Sequence, residues 1–276
     1  MATAMNPANP PAAPTMNAEL FSVAGQVVLA SGASRGIGRA LAAGFAARGA
    51  TLIITGRELD KLEATAKELA QGGATVRAIR CDVADPASIR ELVKTALGEF
   101  GHVDTLLNVA GVNKRQKAEA FTPEEYDFIL DINLRGMFLL TQEVGRAMLA
   151  RRAGTIINID SLNTYAPLKG VLPYAMSKAG VSMMTRGLAM EWGDRNVRVN
   201  AIAPGFILTD LNRKLWSEEK MQQWGMANTP LKRLGQVDDL VGTALFLASP
   251  ASAFMTGQVL YVDGGFSAGL MWPLEV

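Results

Sequence analysis

The amino-acid sequence predicts an α/β fold in which a doubly wound sheet of seven parallel strands carries helices on both faces. Two observations predict it. Short apolar runs rich in Val, Ile and Thr alternate along the chain with longer segments whose apolar residues recur at helical spacing. The first of these runs leads directly into a glycine-rich turn and a helix, as strands do in parallel sheets. Strands buried on both faces are apolar along most of their length, as these runs are.

Each predicted strand is bounded by turn residues, and the strands are Val27–Ser31, Thr51–Thr55, Val76–Cys81, Thr105–Val109, Thr155–Asp160, Val197–Ile202 and Val259–Val262. Helices lie between them, several opened by Pro or Asp, and they are Ile37–Arg48, Leu59–Gln71, Pro86–Phe100, Leu134–Ala150, Pro173–Trp192 and Val237–Ala248. No repeat or linker divides the chain. We therefore predict a single domain over residues 19–276 behind a flexible N-terminal tail over residues 1–18, which is rich in Ala, Pro and Asn.

The turn after the first strand reads Ser-Gly-Ala-Ser-Arg-Gly-Ile-Gly over residues 31–38. Glycines are needed where a pyrophosphate approaches backbone N–H groups and the positive end of a helix, because side chains would block it. Strand, turn and helix together are typical of the start of a dinucleotide-binding domain. The glycines fall at 32, 36 and 38 and not at the tighter G-x-G-x-x-G spacing, so an ordinary tight turn is the alternative interpretation.

Tyr174 and Lys178 lie four residues apart in a predicted helix, and Ser161 precedes them. Residues four apart share one helix face, so the Lys178 ammonium is expected beside the Tyr174 phenol. A nearby cation favours the phenolate, so we expect the pKa of Tyr174 to fall below its ordinary value of about 10. Tyr174 is therefore a candidate general acid and base. The spacing alone occurs by chance in many helices, so the hypothesis depends on its combination with the glycine turn.

With these two motifs the chain resembles the short-chain dehydrogenase/reductase family from about Phe21 to Phe266. Further motifs stand in the family's order, namely Leu107-Asn108-Val109-Ala110-Gly111, Asp131-Ile132-Asn133-Leu134, Ser161, and Ala203-Pro204-Gly205 with Thr209. Ser31 replaces the usual threonine and keeps its hydroxyl, and Val109 replaces the second asparagine of its motif. The resemblance implies a Rossmann-type fold and a dinucleotide-binding catalytic domain that interconverts a secondary alcohol and a ketone by hydride transfer with NAD(P).

The resemblance also implies four catalytic residues. Tyr174 would protonate the carbonyl oxygen, and Ser161 would give that oxygen a second hydrogen bond. Lys178 would lower the pKa of Tyr174 and bind the nicotinamide ribose, and Asn133 would hold a water that passes protons from Lys178 to solvent. Taken singly, Ser161 and Asn133 are more often cap or turn residues.

Cofactor choice depends on the end of the second strand, where an acidic residue would bind the adenosine ribose and repel a phosphate. Here the chain has Thr55-Gly56-Arg57. Arg57, with Arg35 from the glycine turn, can pair with a 2′-phosphate, so we predict NADP over NAD, with two solvated surface charges as the alternative. Asp82 resembles the position that contacts the adenine amino group, with a helix cap as its alternative. The residues predicted to bind the cofactor are Gly32, Ser34, Arg35, Gly36, Ile37, Gly38, Arg57, Asp82, Val83, Asn108, Ala110, Gly111, Tyr174, Lys178, Pro204, Gly205, Ile207 and Thr209.

Three loops, after Gly111, Ser161 and Gly205, are expected to bind the substrate. The first, Val-Asn-Lys-Arg-Gln-Lys over residues 112–117, resembles sugar-acid dehydrogenases of the gluconate 5-dehydrogenase and 2-deoxy-gluconate dehydrogenase type. Arg115 would clamp a carboxylate there with Lys114 as a weaker aid, although a solvated basic loop fits as well. Asn163 and Trp216 are the other predicted substrate residues.

Two other functions stay open. Trp and Met recur at roughly helical spacing between residues 206 and 226, which fits a lid over an apolar ketone but more often a helix packed on its own domain. The alternative substrate is therefore an apolar or cyclic ketone or a 3-oxoacyl thioester. A remote alternative is a non-catalytic dinucleotide sensor, whose mark would be the loss of Tyr174, Lys178 or Ser161.

Composition excludes several other classes. A net charge of +1 gives no electrostatic case for nucleic acid or an acidic membrane, and no apolar run has transmembrane length. His102 is the only histidine and Cys81 the only cysteine, so His and Cys metal sites and internal disulfides are excluded, and a Ser-His-Asp hydrolase would depend on His102 alone. The first basic residue is Arg35, so we expect no signal or transit peptide and a cytoplasmic location.

The resemblance further implies a homotetramer. The family's contact surfaces are the helices that carry Asn133 and Tyr174, together with the last strand. Small residues on these helices, among them Ala147, Ala175, Ala179 and Gly180, would allow close contact. The apolar segment 270–274 is expected to cover a neighbour or a subunit's active site, and packing on its own chain fits equally well.

Overall fold

The seven predicted strands form one parallel sheet. The structure, a computed structural model, describes residues 18–210 and 212–270 of the 276-residue chain. Its strands are β1 Val27–Ser31, β2 Thr51–Gly56, β3 Val76–Arg80, β4 Thr105–Asn108, β5 Gly154–Ile159, β6 Val197–Pro204 and β7 Val259–Val262. They lie in the order β3-β2-β1-β4-β5-β6-β7, and every neighbouring pair is parallel. The predicted doubly wound α/β fold is confirmed.

Helices cover both faces of the sheet. They are α1 Gly36–Ala46, α2 Leu59–Leu69, α3 Pro86–Phe100, α4 Pro123–Leu130, α5 Met137–Arg151, α6 Leu172–Trp192, α7 Arg213–Trp216, α8 Glu219–Ala227 and α9 Val241–Ala248. Successive strand residues face opposite sides, so Val28 joins the apolar layer of α1, α2 and α9 while Leu29 joins that of α3, α5 and α6. Phe45 and Leu92 fill these two layers. Burial of both faces explains why the strands are apolar along their length.

The helix predicted to begin at Leu134 begins earlier and has two parts. α4 starts behind Thr122, whose hydroxyl accepts a hydrogen bond from the Glu125 N–H at 3.3 Å, while the Glu125 carboxylate accepts one from the Thr122 N–H at 3.2 Å. A π-helical turn, Asp131–Gly136, joins α4 to α5. The Thr-Pro-Glu-Glu pattern that caps α4 is the sequence signal for this start.

The direction of winding reverses at β1. Ala30 of this strand pairs with Ile54 of β2 on one side and with Leu107 of β4 on the other. Connections leave the carboxyl ends of β1 and β4 in opposite directions, so a crevice opens between them. His102 lies at the other end of the strands, where they begin, next to the start of β4. Its Nε2 lies 3.1 Å from the Asp104 carboxylate.

The predicted terminal segments are mostly outside the described residues. The tail over residues 1–18 is described only at residue 18, and the apolar C-terminal segment is described only up to Leu270. Among the helices that are described, none combines the length and the apolar character needed to cross a bilayer.

Candidate active site

A cavity of about 710 Å³ lies at the carboxyl ends of the strands, in the crevice where β1 and β4 diverge. The glycine turn, α6, α7 and α8 all border it. All the predicted catalytic and cofactor-binding residues line it except Asn108 and Asn133. Ligand pockets commonly measure roughly 300–1,000 Å³, so the cavity has the size of a ligand site.

The glycine turn forms a backbone cradle that no side chain fills. Gly32 has φ +65°, and a Cβ atom there would lie 2.8 Å from the Ala110 Cα. A Cβ atom on Gly38 would lie 2.3 Å from the Gly32 carbonyl oxygen. The Ser31 Oγ holds the turn to the end of β4, because it accepts hydrogen bonds from the N–H groups of Val109 at 3.0 Å and Ala110 at 3.2 Å. The cradle opens at the N-terminus of α1, where helices bind phosphate groups.

Two arginines lie at the corner of the cavity beyond β2. Arg35 and Arg57 are exposed there beside Glu58, whose carboxylate pairs with Lys61 at 2.5 Å. The hydrogen bond from Lys61, together with the charges of Lys61 and both arginines, holds the pKa of Glu58 below its usual value. An anion at this corner would therefore lie close to two cations.

Asp82 borders the cavity after β3 and is not the cap of α3. Its Oδ1 accepts a hydrogen bond from the Ala84 N–H at 3.0 Å. The cap is Asp85, whose Oδ1 accepts from the Ala87 N–H at 2.9 Å. The alternative interpretation of Asp82 as a helix cap is therefore wrong, and Asp82 lies beside Val83 in the cavity wall.

Ser161, Tyr174 and Lys178 meet on one side of the cavity. α6 presents Tyr174 and Lys178 on the same face, with the Lys178 Nζ 5.7 Å from the centre of the Tyr174 ring. Lys178 is only 3% exposed, and its Nζ donates a 2.6 Å hydrogen bond to the carbonyl oxygen of Ile159 at the end of β5. Ser161 follows the same strand two residues later. The predicted placement of the phenol and the ammonium on one helix face is confirmed.

The Asn133 side chain lies behind the cavity wall, where both its oxygen and its nitrogen form hydrogen bonds within the protein. Its Oδ1 accepts a hydrogen bond from the Val112 N–H at 2.8 Å, and its Nδ2 donates to the Val112 carbonyl at 2.9 Å and to the Ser177 Oγ at 3.1 Å. Ser177 in turn donates to the Tyr174 carbonyl at 2.7 Å. Asn133 therefore ties the loop after β4 to α6. That it holds a proton-conducting water stays a prediction.

The Asn108 side chain points away from the cavity, so its predicted contact with the cofactor is wrong for the side chain. Its Nδ2 donates to the Thr141 Oγ1 at 2.7 Å and to the Asn158 Oδ1 at 2.9 Å. Asn158 donates onward to the Thr185 Oγ1 at 2.9 Å. This buried polar row joins β4 and β5 to α5 and α6. Strand alternation turns Asn108 towards these helices.

The segment after β6 lies next to the glycine turn at the cavity. A Cβ atom on Gly36 would lie 3.8 Å from the Thr209 Cβ. The backbone of Ile207 already has partners, because its N–H donates to the Gly205 carbonyl at 3.0 Å and its carbonyl accepts from the Asn212 Nδ2 at 2.8 Å. A carboxamide oxygen bound by the Ile207 N–H would have to replace the Gly205 carbonyl, whereas the Ile207 carbonyl retains a second lone pair. Asn212, which was not predicted, braces this turn because its Oδ1 also accepts from the Thr209 N–H at 2.9 Å.

The predicted substrate residues all border the cavity, but Lys114 does not. Arg115 is exposed in the cavity wall, whereas the Lys114 ammonium pairs with Glu125 at 3.1 Å. The prediction that Lys114 aids Arg115 is therefore wrong, because its charge is already paired. Asn163 is 9% exposed and contacts Ser161.

The prediction that the segment with recurring Trp and Met residues packs on its own domain is confirmed, and the segment also borders the cavity; that it closes as a lid stays a prediction. α7 and α8 pack on the domain through Trp216, which is 6% exposed and lies 5.3 Å from the ring of Phe206. The same helices close one side of the cavity with Leu215, Trp216, Lys220, Met221 and Trp224.

One family model matches most of the chain. The family is described as enoyl-(acyl carrier protein) reductase, and the match covers residues 32–267, from the glycine turn past the Tyr174 and Lys178 pair. The chain belongs to the short-chain dehydrogenase/reductase family. It is therefore an oxidoreductase by family.

Relatives of this short-chain dehydrogenase/reductase act on several substrates. Gluconate 5-dehydrogenase of Gluconobacter oxydans (strain 621H) is 36% identical over 252 residues, 91% of this chain and 98% of that protein. The 3-oxoacyl-[acyl-carrier-protein] reductase of Synechocystis sp. is 37% identical over 248 residues, 89% of this chain and 98% of that one. A crystal structure of gluconate 5-dehydrogenase from Burkholderia cenocepacia J2315 in complex with NADP and tartrate has a TM-score of 0.89, 37% identity and coverage of 91% and 99%.

In this short-chain dehydrogenase/reductase, burial is the largest cause of the pKa shifts of Tyr174 and Lys178. It raises the pKa of the Tyr174 phenol, and it outweighs the hydrogen bond from Ser161 and the charge of Arg115, which both lower it. Burial also lowers the pKa of Lys178 to about 8, against the opposing charge of Asp160. The predicted lowering of the Tyr174 pKa is therefore wrong for the chain by itself. The packing that brings the two groups together also removes the water that stabilises their charged forms.

Asp160 is a member of the site that the sequence analysis missed. It is 1% exposed between β5 and Ser161, and its Oδ1 accepts a hydrogen bond from the Thr164 Oγ1 at 2.7 Å. Its Oδ2 has no hydrogen-bond partner among the described residues. Burial raises the pKa of this carboxyl to about 6, although Thr164 and the charge of Lys178 oppose the shift. An acidic residue at the end of an apolar strand is the signal that marks it.

The rate of carbonyl reduction is expected to fall as the pH rises past about 8, because Lys178 then loses its proton. Asp160→Asn removes the negative charge that raises the pKa of Lys178, so in this variant the fall is expected at lower pH. Profiles of kcat/KM against pH measure both. Asp238→Asn, the same change at an exposed position, should leave the profile unchanged. A profile that does not move in Asp160→Asn would show that the Asp160 charge does not act on Lys178.

Proposed function

We propose that this protein is an NADP-preferring oxidoreductase that interconverts a ketone and a secondary alcohol on a polyol, sugar acid or keto acid, as a gluconate 5-dehydrogenase does. The observation that carries the proposal is the position of Arg115. This cation lies in the wall of the same cavity as Ser161, Tyr174 and Lys178, and its charge acts on the Tyr174 phenol. A substrate carboxylate paired with Arg115 would keep the rest of the molecule near the proton donor.

The residues present fit NADP. The backbone cradle at Gly32 and Gly38 can receive a pyrophosphate, and a side chain at either position would collide with backbone. Arg35 and Arg57 supply two cations at the corner beyond β2, where a 2′-phosphate would lie. The Burkholderia relative is described with bound NADP, which supports the same choice.

The protein's own groups hold the substrate oxygen and move its proton. NADPH, when bound, supplies the hydride. Tyr174 donates a proton to the oxygen, and Ser161 donates a second hydrogen bond, so that the negative charge growing there is stabilised. Lys178, buried behind Tyr174, holds a proton that depends on the nearby Asp160. In the direction of alcohol oxidation Tyr174 accepts the proton.

The relatives support an acidic substrate. The protein from Gluconobacter oxydans is a gluconate 5-dehydrogenase, and the Burkholderia structure contains tartrate, a hydroxy acid with carboxylates. Arg115 has the geometry to bind such a carboxylate in a bidentate manner. Its neighbour Lys114 is paired with Glu125, whereas Arg115 lines the cavity.

A second candidate is the reduction of an apolar ketone or a 3-oxoacyl thioester. The cavity wall formed by α7 and α8 carries Leu215, Trp216, Met221 and Trp224, which favour apolar groups. The Synechocystis relative is a 3-oxoacyl reductase. A non-catalytic sensor is supported by no such feature, since Ser161, Tyr174 and Lys178 are all present in the cavity.

Arg57→Ala is expected to raise the KM for NADPH about 10- to 100-fold, the range for loss of a charged hydrogen bond, and to leave the KM for NADH nearly unchanged. The reason is that only NADPH carries the 2′-phosphate. Steady-state kinetics with each cofactor measure the change. Arg39→Ala is the control, because Arg39 pairs with Glu68 outside the cavity. An equal loss with both cofactors, or a wild-type preference for NADH, would contradict the proposed role.

Arg115→Ala is expected to lower kcat/KM for 5-keto-gluconate by about 10- to 100-fold, because a charged hydrogen bond to the carboxylate is lost. The rate with an uncharged cyclic ketone should fall much less, because only the effect of the Arg115 charge on Tyr174 is lost. Lys114→Ala should affect neither substrate, and Tyr174→Phe should abolish turnover of both while cofactor binding persists. Equal losses on both substrates in Arg115→Ala would contradict the proposal that Arg115 binds the carboxylate. Efficient turnover of the cyclic ketone alone would favour the second candidate.

We also propose that the protein is a homotetramer. α6 exposes a stripe of apolar side chains along one face, namely Leu172, Met176, Met183 and Met190, and Met190 is 86% exposed. β7 forms one edge of the sheet and leaves Tyr261 exposed. Contacts with further copies of the chain would bury both surfaces. The single buried Cys81 supports the proposal of a cytoplasmic location, which subcellular fractionation would test.

Met183→Lys is expected to shift the assembly to a smaller species, because a charge would be buried in the α6 contact. Sedimentation velocity of the purified protein measures the mass. Met226→Lys is the matched control, because Met226 is an exposed methionine on α8 and not on α6. A wild-type protein that sediments as a monomer would contradict the proposed assembly, and a tetramer that persists in Met183→Lys would show that α6 is not its interface.

A further inference from the structure

Ser161 receives two hydrogen bonds, and both come from Asn163. The Asn163 backbone N–H donates to the Ser161 Oγ at 3.2 Å, and the Asn163 Nδ2 donates to the same oxygen at 3.1 Å. Both residues are at least nine-tenths buried, with Ser161 6% and Asn163 9% exposed. Water therefore has little access to these bonds.

The orientation of the Asn163 amide follows from its other contact. The Leu168 N–H donates to the Asn163 Oδ1 at 2.9 Å. A backbone N–H can only donate, so the side-chain atom that faces it must be the oxygen. The atom that faces Ser161 is then the nitrogen, which can only donate as well. An exchange of the two amide atoms would place two donors against each other at Leu168, so the contact with Leu168 fixes the orientation.

A serine hydroxyl has one proton to donate and two lone pairs to accept with. Asn163 occupies both lone pairs of Ser161. The remaining capacity of the hydroxyl is its proton, and the open direction is the cavity, which Ser161 and Tyr174 line together. The hydrogen bond from Ser161 that lowers the pKa of Tyr174 agrees with a hydroxyl that donates in that direction.

We propose that Asn163 is a positioning residue that makes Ser161 an obligatory hydrogen-bond donor towards the substrate oxygen and Tyr174. This inference rests on the proposed carbonyl reduction and deepens it. It differs from the predicted role of Asn163, which was a direct contact with substrate hydroxyls. Both ends of the Asn163 amide are engaged within the protein, because Nδ2 donates to Ser161 and Oδ1 accepts from Leu168.

The loop that contains Asn163 is built to keep this geometry. Residues Leu162–Thr164 form a single helical turn directly after Ser161. The Thr164 hydroxyl closes the turn from behind, because it donates to the buried Asp160 carboxylate at 2.7 Å. The two ends of the loop are thus anchored at β5 and at Leu168, and the amide between them has one orientation.

Asn163→Asp tests the proposal because it keeps the shape of the side chain and reverses one hydrogen bond. The Asp oxygen that replaces Nδ2 can only accept when ionised, so the Ser161 proton would turn towards it and away from the cavity. We expect kcat to fall by about 10- to 100-fold, somewhat less than the loss of a whole oxyanion donor, with KM for the substrate nearly unchanged. Activity should recover at acidic pH as the new carboxyl gains a proton and donates again.

A double-mutant cycle with Ser161→Ala separates the positioning role from direct contact. If Asn163 acts through Ser161, the double variant should be no slower than Ser161→Ala alone. Effects that multiply would show that Asn163 acts on the substrate or cofactor directly and would overturn the proposal. Asn196→Asp, the same change directly before β6 and beside Arg152, is the matched control. Binding of NADPH, followed by fluorescence, should be the same in every variant and reports on folding.

A second measurement needs no substrate. The chain has four tyrosines, so 3-fluorotyrosine labelling with 19F NMR can follow the titration of each, and the Tyr174→Phe variant assigns the resonance of Tyr174. Asn163→Asp and Ser161→Ala should both raise the pKa of Tyr174, because each removes the hydrogen bond that Ser161 donates. An unchanged Tyr174 pKa in Asn163→Asp would overturn the inference, whatever ketone the enzyme reduces. Failure to reduce 5-keto-gluconate would count only against the proposed substrate.

Discussion

The active site depends on one buried charge. The Lys178 ammonium lies almost without solvent between α6 and β5, and its hydrogen bond to the Ile159 carbonyl joins the helix to the end of the strand. Burying an ammonium group is costly unless it is paired, so this contact constrains the register of α6 against the sheet. The same register places Tyr174, one helical turn earlier, beside Ser161, which follows β5. The packing of α6 against β5 therefore sets both the positions of Tyr174 and Lys178 and the pKa shifts that follow from their burial.

Buried amides hold the reactive groups in place. Asn133 connects the loop after β4 to Ser177, which lies between Tyr174 and Lys178 on α6. Asn108 and Asn158 form a row between the central strands and the same helices. Asn163 does the same for Ser161. Amides suit this task because each carries donors and an acceptor, so one side chain can satisfy several buried backbone or hydroxyl groups without adding a charge.

The cavity combines a charged side and an apolar side. Arg35 and Arg57 lie at the end of the crevice beyond β2, and Arg115 lies near the catalytic residues. The helices α7 and α8 contribute Trp216 and Trp224, which pack on Phe206, together with the aliphatic side chains of Leu215 and Met221. A ligand with anionic groups at separate positions and an uncharged reacting carbon would match this distribution. The basic groups are exposed, so dissolved salt screens their charges. The catalytic groups are buried, so their charges are screened much less.

The sequence by itself determined the fold class, the seven strands to within a few residues, the glycine turn and most of the predicted residues that line the cavity. These features depend on local patterns, namely apolar runs, glycine spacing and a pair of residues four apart on one helix. Such patterns can be recognised in the sequence alone. Only the tertiary structure decided which polar side chains face the cavity and which form hydrogen bonds in the protein interior behind it. Asn108 and Asn133 turned inward, Lys114 found Glu125, and Asp160 emerged beside Lys178. Partners distant in the chain and the depth of burial set these outcomes and the pKa values of Tyr174 and Lys178, and neither is contained in residue spacing.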